Sequence, residues 1–277
     1  MKYNRVITIA GSDSGGGAGI QADIKTISAC GCYASSAITA ITVQNTLGVQ
    51  SVFPIPTETI KGQIDAVLSD IGTDAIKIGM LHSSEVMLTV RDCLSAYGNR
   101  NIVLDPVMVS TSGHRLMEDS AIETLINELM PCARIITPNI PEAEIILGRK
   151  IGGQDELAAC AKELSMNGNI SVLLKAGHLT DERLIDILYN AETDEIVSLE
   201  SSRLYTKNTH GTGCTLSSAI ASFIARGLPL TDAVCSAKDY ITSAITSGSR
   251  YTLGHGFGPV DHFFAMRGNN DHEADSN

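Results

Sequence analysis

Residues Asn208-Thr209-His210-Gly211-Thr212-Gly213-Cys214-Thr215 place a Gly-X-Gly turn directly ahead of a helical pattern, Thr215 to Arg226. The first N–H groups of a helix have no intrahelical partner and lie at the positive end of its dipole, so a glycine approach lets an anion rest on them. Cys214 falls in the same turn, where a thiol ionises more readily than a free one, which makes it a candidate proton acceptor. Together these residues predict a transfer site, with phosphoryl transfer the leading chemistry. The alternative is a glycine loop that only turns the chain.

A second glycine-dense stretch, Gly11-Ser12-Asp13-Ser14-Gly15-Gly16-Gly17-Ala18-Gly19, matches parts of a dinucleotide fingerprint. It lacks both that motif's acidic residue about 20 positions on and the terminal Gly-Lys-Ser/Thr of a phosphate loop. It better suits a loop that brings backbone close to a small flat ligand. Asp23, on the helix that follows, is either a side-chain contact to that ligand or an exposed helix residue.

Asn139 and Glu142 stand three apart in Thr137-Pro138-Asn139-Ile140-Pro141-Glu142. At helical spacing they share a face, so an amide and a carboxylate can hold a hydrated Mg²⁺, a cation that prefers oxygen ligands and keeps several waters. The same residues also spell a capping box with proline in the first turn, and the two roles can coexist. Lys175 closes an apolar run and is a candidate phosphate contact; Lys238, taken alone, is an ordinary lysine.

Periodicity supplies the elements that must carry these groups. Short β-branched runs alternate with longer amphipathic ones, the pattern of βα units. Strands are predicted at Val6–Ala10, Ser36–Val43, Ala75–Ile78, Ile102–Leu104, Arg134–Thr137 and Ser171–Leu174, with an extended segment at Val49–Phe53. Helices are predicted at Ile20–Ala29, Thr57–Leu68, Ser83–Tyr97, Asp119–Leu129, Gln154–Met166, Thr215–Arg226 and Leu230–Ser247. Leu184–Tyr189 and Glu195–Ser201 read as an antiparallel hairpin. Near-continuous apolar strands imply a sheet covered on both faces. Open sheets of this kind bind ligands beyond the carboxyl ends of their strands. Gly11, Met80, Asp105, Asn139, Glu142 and Lys175 all follow strands, so they are expected along one edge.

Composition narrows the partners. The formal net charge of -11 argues against nucleic acid, whose affinity rests on clustered Lys and Arg. No apolar run approaches the roughly 20 residues of a spanning helix, and the first residues lead into a strand rather than a signal core. Seven cysteines without a Cys-X-X-Cys pair fit reduced thiols, so a cytoplasmic setting is expected. One domain is expected over residues 1–267, followed by a polar, disordered tail at 268–277.

Read in order, Gly11-Ser12-Asp13 through Gly17-Ala18-Gly19-Ile20-Gln21-Ala22-Asp23, then Gln44-Asn45-Thr46, Lys77-Ile78-Gly79-Met80-Leu81, Asp105-Pro106-Val107-Met108, Thr137-Pro138-Asn139 with Glu142, Lys175-Ala176-Gly177-His178, and Thr209 to Cys214 resemble the hydroxymethylpyrimidine and phosphomethylpyrimidine kinases of thiamine biosynthesis. The resemblance runs from Val6 to about Phe264. It implies a ribokinase-like three-layer α/β/α fold with a mostly parallel central sheet and a small antiparallel hairpin. It also implies ATP and Mg²⁺, two successive phosphorylations of 4-amino-5-hydroxymethyl-2-methylpyrimidine, and a homodimer. Carried over by position, Gln44 and Met80 would contact the pyrimidine, with Gly11, Ala18, Asp23 and Val107 around it. Asp105, Asn139 and Glu142 would serve the metal and phosphates, Lys175, Asn139 and Lys238 the nucleotide, and Gly211, Thr212, Gly213 and Cys214 the anion hole and proton transfer. Many sugar kinases of the wider superfamily carry Asp where this chain has Cys214. Some members of the pyrimidine branch also act on pyridoxal. A non-catalytic nucleotide or vitamer sensor, or a dehydrogenase built on the glycine loop, would be a different class; Cys214, Lys175 and Glu142 together favour the kinase.

Overall fold

The structure is a computed structural model that describes residues 1–98, 100–108, 117, 119–177 and 183–266. His178 and the tail from Gly268 lie outside the described residues. The strands are β1 (Arg5–Asp13), β2 (Tyr33–Asn45), β3 (Gly48–Pro54), β4 (Ala75–Ile78), β5 (Ile102–Leu104), β6 (Ile135–Ile136), β7 (Ser171–Leu174), β8 (Arg183–Asn190) and β9 (Glu195–Ser202). They form a nine-stranded sheet in the order β3-β2-β1-β4-β5-β6-β7-β8-β9. Neighbours from β2 to β7 are parallel, while β3 and the β8–β9 hairpin add antiparallel edges.

The helices are α1 (Gly19–Ala29), α2 (Thr57–Asp70), α3 (Ser84–Ala96), α4 (Asp119–Thr124), α5 (Ile140–Leu147), α6 (Leu157–Leu164), α7 (Thr212–Ala225) and α8 (Leu230–Gly248). The two-residue period of a strand sends alternate side chains to opposite layers. Ile7, Ile9, Ile76, Ile78, Ile102 and Leu104 join one core with residues of α2 to α6. Val6, Ala75, Val103 and Ile135 join the other with α1, α7 and α8. In β4 this alternation drives Lys77 into the α1/α7 layer, where its side chain has no exposed surface.

Several expected boundaries shift for local reasons. The helix expected over 119–129 turns into a π-helix at Leu125–Leu129 and ends in a 3-10 turn holding Pro131. The helix expected at 154–166 opens as a 3-10 turn and stops at Leu164, because Met166 and Asn167 take positive φ and reverse the chain. The strand expected over 134–137 narrows to Ile135–Ile136. Helix α5 fills a segment whose cap, but not whose length, shows in the sequence. Helix α7 begins at Thr212, so the Gly-X-Gly turn forms its first turn rather than preceding it.

Candidate active site

The carboxyl ends of β1, β4, β5, β6 and β7 and the N-terminus of α7 surround a cavity of about 710 Å³. Gly11, Ala18, Gln44, Met80, Asp105, Val107, Asn139, Glu142, Lys175, Lys238, Gly211, Thr212, Gly213 and Cys214 all line it. Gly11, Met80, Asp105, Asn139, Glu142 and Lys175 thus share one edge as expected, and of the remaining candidates only Asp23 does not line the cavity.

Asp23 is a correction. Its side chain is fully buried beneath the cavity, 2.9 Å from Lys77 Nζ, and accepts hydrogen bonds from Thr8 Oγ1 at 2.5 Å and Ser218 Oγ at 2.7 Å. A lysine in an apolar layer requires an ionised partner, so Asp23 cannot also reach a ligand. Sequence reasoning assigns Lys77 no role; a charge inside the apolar run Ala75-Ile76-Lys77-Ile78 is the signal that marks it. Burial opposes its charge, but Asp23, Cys214 and Asp105 outweigh that and raise the ammonium's pKa.

Gly211 caps α7 with φ of 81°, in the left-handed region, and a Cβ there would lie 1.8 Å from Gly17 O. Only glycine permits the two loops to touch. The following amides of Gly213 and Cys214 belong to the first helical turn and have no carbonyl one turn back within the helix. Ease of ionisation at Cys214 is a second correction: burial pushes its thiol up to about 11, although Lys77 and the Gly19 amide pull the other way. Desolvation of a thiolate here exceeds what the helix end and one buried cation return. At neutral pH the thiol is protonated.

On the next side of the cavity, Lys175 Nζ sits 3.2 Å from Asp105 Oδ1, and Asp105 also accepts from Thr137 Oγ1 at 3.0 Å. A Cβ on Gly213 would lie 3.3 Å from Asp105 and 3.5 Å from Lys175, which sets this pair against the start of α7. Asn139 and Glu142 do form the capping box: Asn139 Oδ1 accepts from Glu142 N at 2.9 Å, and Glu142 Oε2 accepts from Asn139 N at 2.8 Å. Burial, with Asp105 adding to it and Lys175 opposing, pushes the Glu142 carboxyl up to about 7. Lys238, reaching in from α8, pairs with Asp186 at 2.5 Å, and Asp186 accepts from Ala176 N at 2.7 Å beside Lys175.

The opposite end is organised by Asp13 and His210, to which sequence reasoning assigned no role. Asp13 accepts from Gly15 N at 2.8 Å, Gly17 N at 3.0 Å and Ala18 N at 2.8 Å, and so folds the glycine-dense loop around one carboxylate. Burial works against its charge, but His210 and these amides hold it below the usual carboxylate range. His210 Nε2 lies 2.8 Å from Asp13 Oδ2 and 3.3 Å from Gln44 Nε2. A register shift in the β2–β3 ladder between Val43 and Gln44 aims Gln44, and Ser14 Oγ clips its backbone at 2.7 and 2.9 Å. Met80 closes the floor against Gly11, where a Cβ would lie 2.4 Å from the methionine methyl.

Comparison with known proteins agrees with this layout. The phosphomethylpyrimidine kinase family model matches residues 13–261. A hydroxymethylpyrimidine/phosphomethylpyrimidine kinase of Rhizobium meliloti is 48% identical over 93% of this chain and 96% of its own. Among solved structures, phosphomethylpyrimidine kinase from Clostridium difficile superposes with a TM-score of 0.77 at 47% identity, covering 87% of this chain and 99% of that one. The ADP complex of Bacillus subtilis pyridoxal kinase superposes with a TM-score of 0.87 at 35% identity, covering 96% and 99%. The fold is the ribokinase-like α/β architecture, and the chain belongs to the phosphomethylpyrimidine kinase family.

Proposed function

We propose that this phosphotransferase moves the γ-phosphoryl of ATP to the hydroxymethyl oxygen of 4-amino-5-hydroxymethyl-2-methylpyrimidine, and then to the resulting monophosphate. The single observation carrying this reading is the continuity of the cavity. Met80, Val107 and Gln44, the N-terminus of α7, and the Lys175/Asp105/Glu142 cluster line one space, with Gln44 meeting His210 just before the turn and Gly213 set against Asp105 and Lys175. An acceptor hydroxyl, a transferring phosphoryl and a nucleotide tail require that order.

In this reading Gln44 pairs with the ring nitrogen and amine of the pyrimidine, while Gly11, Ala18, Met80 and Val107 enclose its faces. The amides of Gly213 and Cys214 receive the phosphoryl oxygens. Phosphoryl transfer needs positioning and charge neutralisation more than covalent help, so these amides and the Lys175 ammonium supply most of the stabilisation. Lys238, which pairs with Asp186, and Asn139 hold the nucleotide end. Cys214 can accept the hydroxyl proton only in its thiolate form, a minor species at neutral pH because burial pushes the thiol up to about 11.

The donor set fits Mg²⁺. Asp105 and Glu142 offer hard carboxylate oxygens, and no group of three or more acidic, histidine or cysteine side chains forms a metal cage among the described residues. Such a sparse set suits a cation that keeps its waters and is held largely by substrate phosphates. When bound it would neutralise phosphate charge. Asn139 Oδ1 accepts the cap bond from Glu142 N and keeps a second lone pair, while its Nδ2 is chemically able to donate to phosphate.

Residues 1–267 are read as one kinase domain acting as a homodimer in the cytoplasm. Ile41, Val43 and Phe53 share an exposed face of the β2–β3 edge, which supports self-association. Among the described residues no helix is long and apolar enough to cross a membrane. Pyridoxal is the second acceptor to consider, given the likeness to pyridoxal kinase. The test is ADP release from MgATP with the pyrimidine, its monophosphate, or pyridoxal. ADP with the first two supports the proposal; ADP with pyridoxal alone replaces it; none at all leaves a sensor.

A further inference from the structure

The amide of Gln44 is pinned from both sides. On one side its Nε2 lies 3.3 Å from His210 Nε2; on the other its Oε1 lies 3.1 Å from Thr42 Oγ1. Neither contact works in that orientation. Asp13 Oδ2 lies 2.8 Å from His210 Nε2, and an ionised carboxylate only accepts, so Nε2 carries a proton whatever the state of the other ring nitrogen. An amide NH₂ facing that N–H sets donor against donor. The Thr42 hydroxyl has one proton, which goes to Ser12 O at 2.8 Å, leaving only lone pairs toward Gln44. Turning the amide over removes both mismatches: Oε1 then shares the one Nε2 proton of His210 with Asp13 Oδ2 in a three-centre bond, and the amide Nε2 donates to Thr42 Oγ1, amide oxygen and nitrogen occupying nearly the same positions.

We propose that His210, held by Asp13, fixes the polarity of the Gln44 amide and thereby makes the site select a 4-amino over a 4-oxo pyrimidine. The inference rests on the reading that Gln44 faces the pyrimidine. With Oε1 toward His210 and Nε2 toward Thr42, the outer lone pair and the outer hydrogen of the amide are both used. What remains is the front edge, one acceptor beside one donor in a fixed order. That order matches an amine beside an unprotonated ring nitrogen. A 4-oxo analogue presents the reverse, an acceptor beside a ring N–H, and could pair only if the amide turned over and pushed its NH₂ against His210 Nε2–H. Sites that leave buried polar groups unpaired discriminate strongly between such analogues.

The histidine is half of a wider clamp. A Cβ on Gly17 would lie 2.4 Å from His210 Cδ2, so the glycine loop packs directly on the ring. His210 N donates to Gly258 O at 3.0 Å, which ties the same residue to the segment before Pro259. The ring therefore has little freedom to rotate away and accept an inverted amide.

Two measurements decide. In ¹⁵N-labelled wild-type protein, long-range proton–nitrogen correlation should show His210 Nε2 protonated across neutral pH; a bare Nε2 overturns the proposal without any substitution. In kinetics, wild type should use the amino substrate and refuse the 5-hydroxymethyl-2-methyl-4-oxo analogue. His210→Gln, whose own amide can turn either way, should lower the amino/oxo ratio of kcat/KM by at least about tenfold, the change expected for one polar mismatch worth about 1.4 kcal/mol. An unchanged ratio, with both substrates slowed alike, would make His210 merely structural and sink the idea. Gln44→Ala separates the two readings: an unaltered KM for the amino substrate removes Gln44 from the pyrimidine, while the nitrogen spectrum still reports on His210.

Discussion

Lys77 and Asp23 form an ion pair 2.9 Å long in which neither side chain has exposed surface, joined through Ser218 to the helix one turn beyond Cys214. Its energetics are asymmetric. Two desolvated charges gain little over an apolar pair, but one left alone is costly. Lys77→Met should therefore lower stability by about 3–5 kcal/mol, whereas Lys77→Met with Asp23→Leu should recover much of the melting temperature. If the pair also sets the potential at the thiol, the double variant should stay slow and alkylate at Cys214 only at higher pH. A double variant with wild-type turnover would confine the pair to packing.

Glu142 yields a prediction in which the sign matters. Its folded pKa of about 7 lies above the ordinary carboxylate value of 4.5, so the folded state holds a proton that the unfolded chain has released. Stability from this group is complete below about pH 4.5 and is lost as pH rises to about 7. Glu142→Gln cannot titrate and should flatten that part of the Tm profile of the ligand-free protein. The same variant should weaken the Mg²⁺ dependence of turnover far more than it changes Tm at neutral pH. An unchanged Mg²⁺ titration would remove Glu142 from the metal.

How much of this was legible beforehand depended on whether a residue's partner was near in sequence. The capping box of Asn139 and Glu142 is a local pattern, and the structure reproduces it as read. The glycine turn was legible because glycine types report backbone geometry directly. Asp23 was misplaced because its partner Lys77 lies 54 residues away on β4, and nothing local distinguishes a ligand contact from half of a buried pair. Asp13 and His210 are 197 residues apart, so their bond was invisible although both stand inside glycine-rich motifs. Ionisation at Cys214 was misjudged for a related reason: the helix end is local and readable, but the desolvation that opposes it comes from the surrounding fold.

Gly211 should tolerate no side chain. Alanine there meets both a left-handed φ of 81° and the Gly17 carbonyl at 1.8 Å, so α7 and the glycine loop must separate. Left-handed strain alone costs about 1–3 kcal/mol, and a displacement near 1 Å at a transfer site can cost about a hundredfold in rate. Gly211→Ala should thus lose turnover with both the pyrimidine and its monophosphate, equally, since both use the same anion hole. A variant that keeps full activity would show that phosphoryl oxygens do not rest on this turn.

Cys214 should distinguish the two phosphorylations. The hydroxymethyl group attacks as a neutral alcohol and must lose its proton, an event for which a base is typically worth about a hundredfold or more. The monophosphate has a second pKa near ~6 and is mostly deprotonated at neutral pH, so it needs none. Burial holds the thiol up to about 11, which means the thiolate fraction grows with every unit of pH across the working range. Turnover of the free pyrimidine should therefore keep rising as pH approaches about 11, after any common rise near 7 from Glu142, while turnover of the monophosphate levels off. Cys214→Ser keeps the backbone amides but removes the ionisable thiol, and should slow the first step much more than the second while abolishing its alkaline climb. Equal losses for both substrates, or a climb that survives in the serine variant, would assign Cys214 to the anion hole and its packing instead of proton removal.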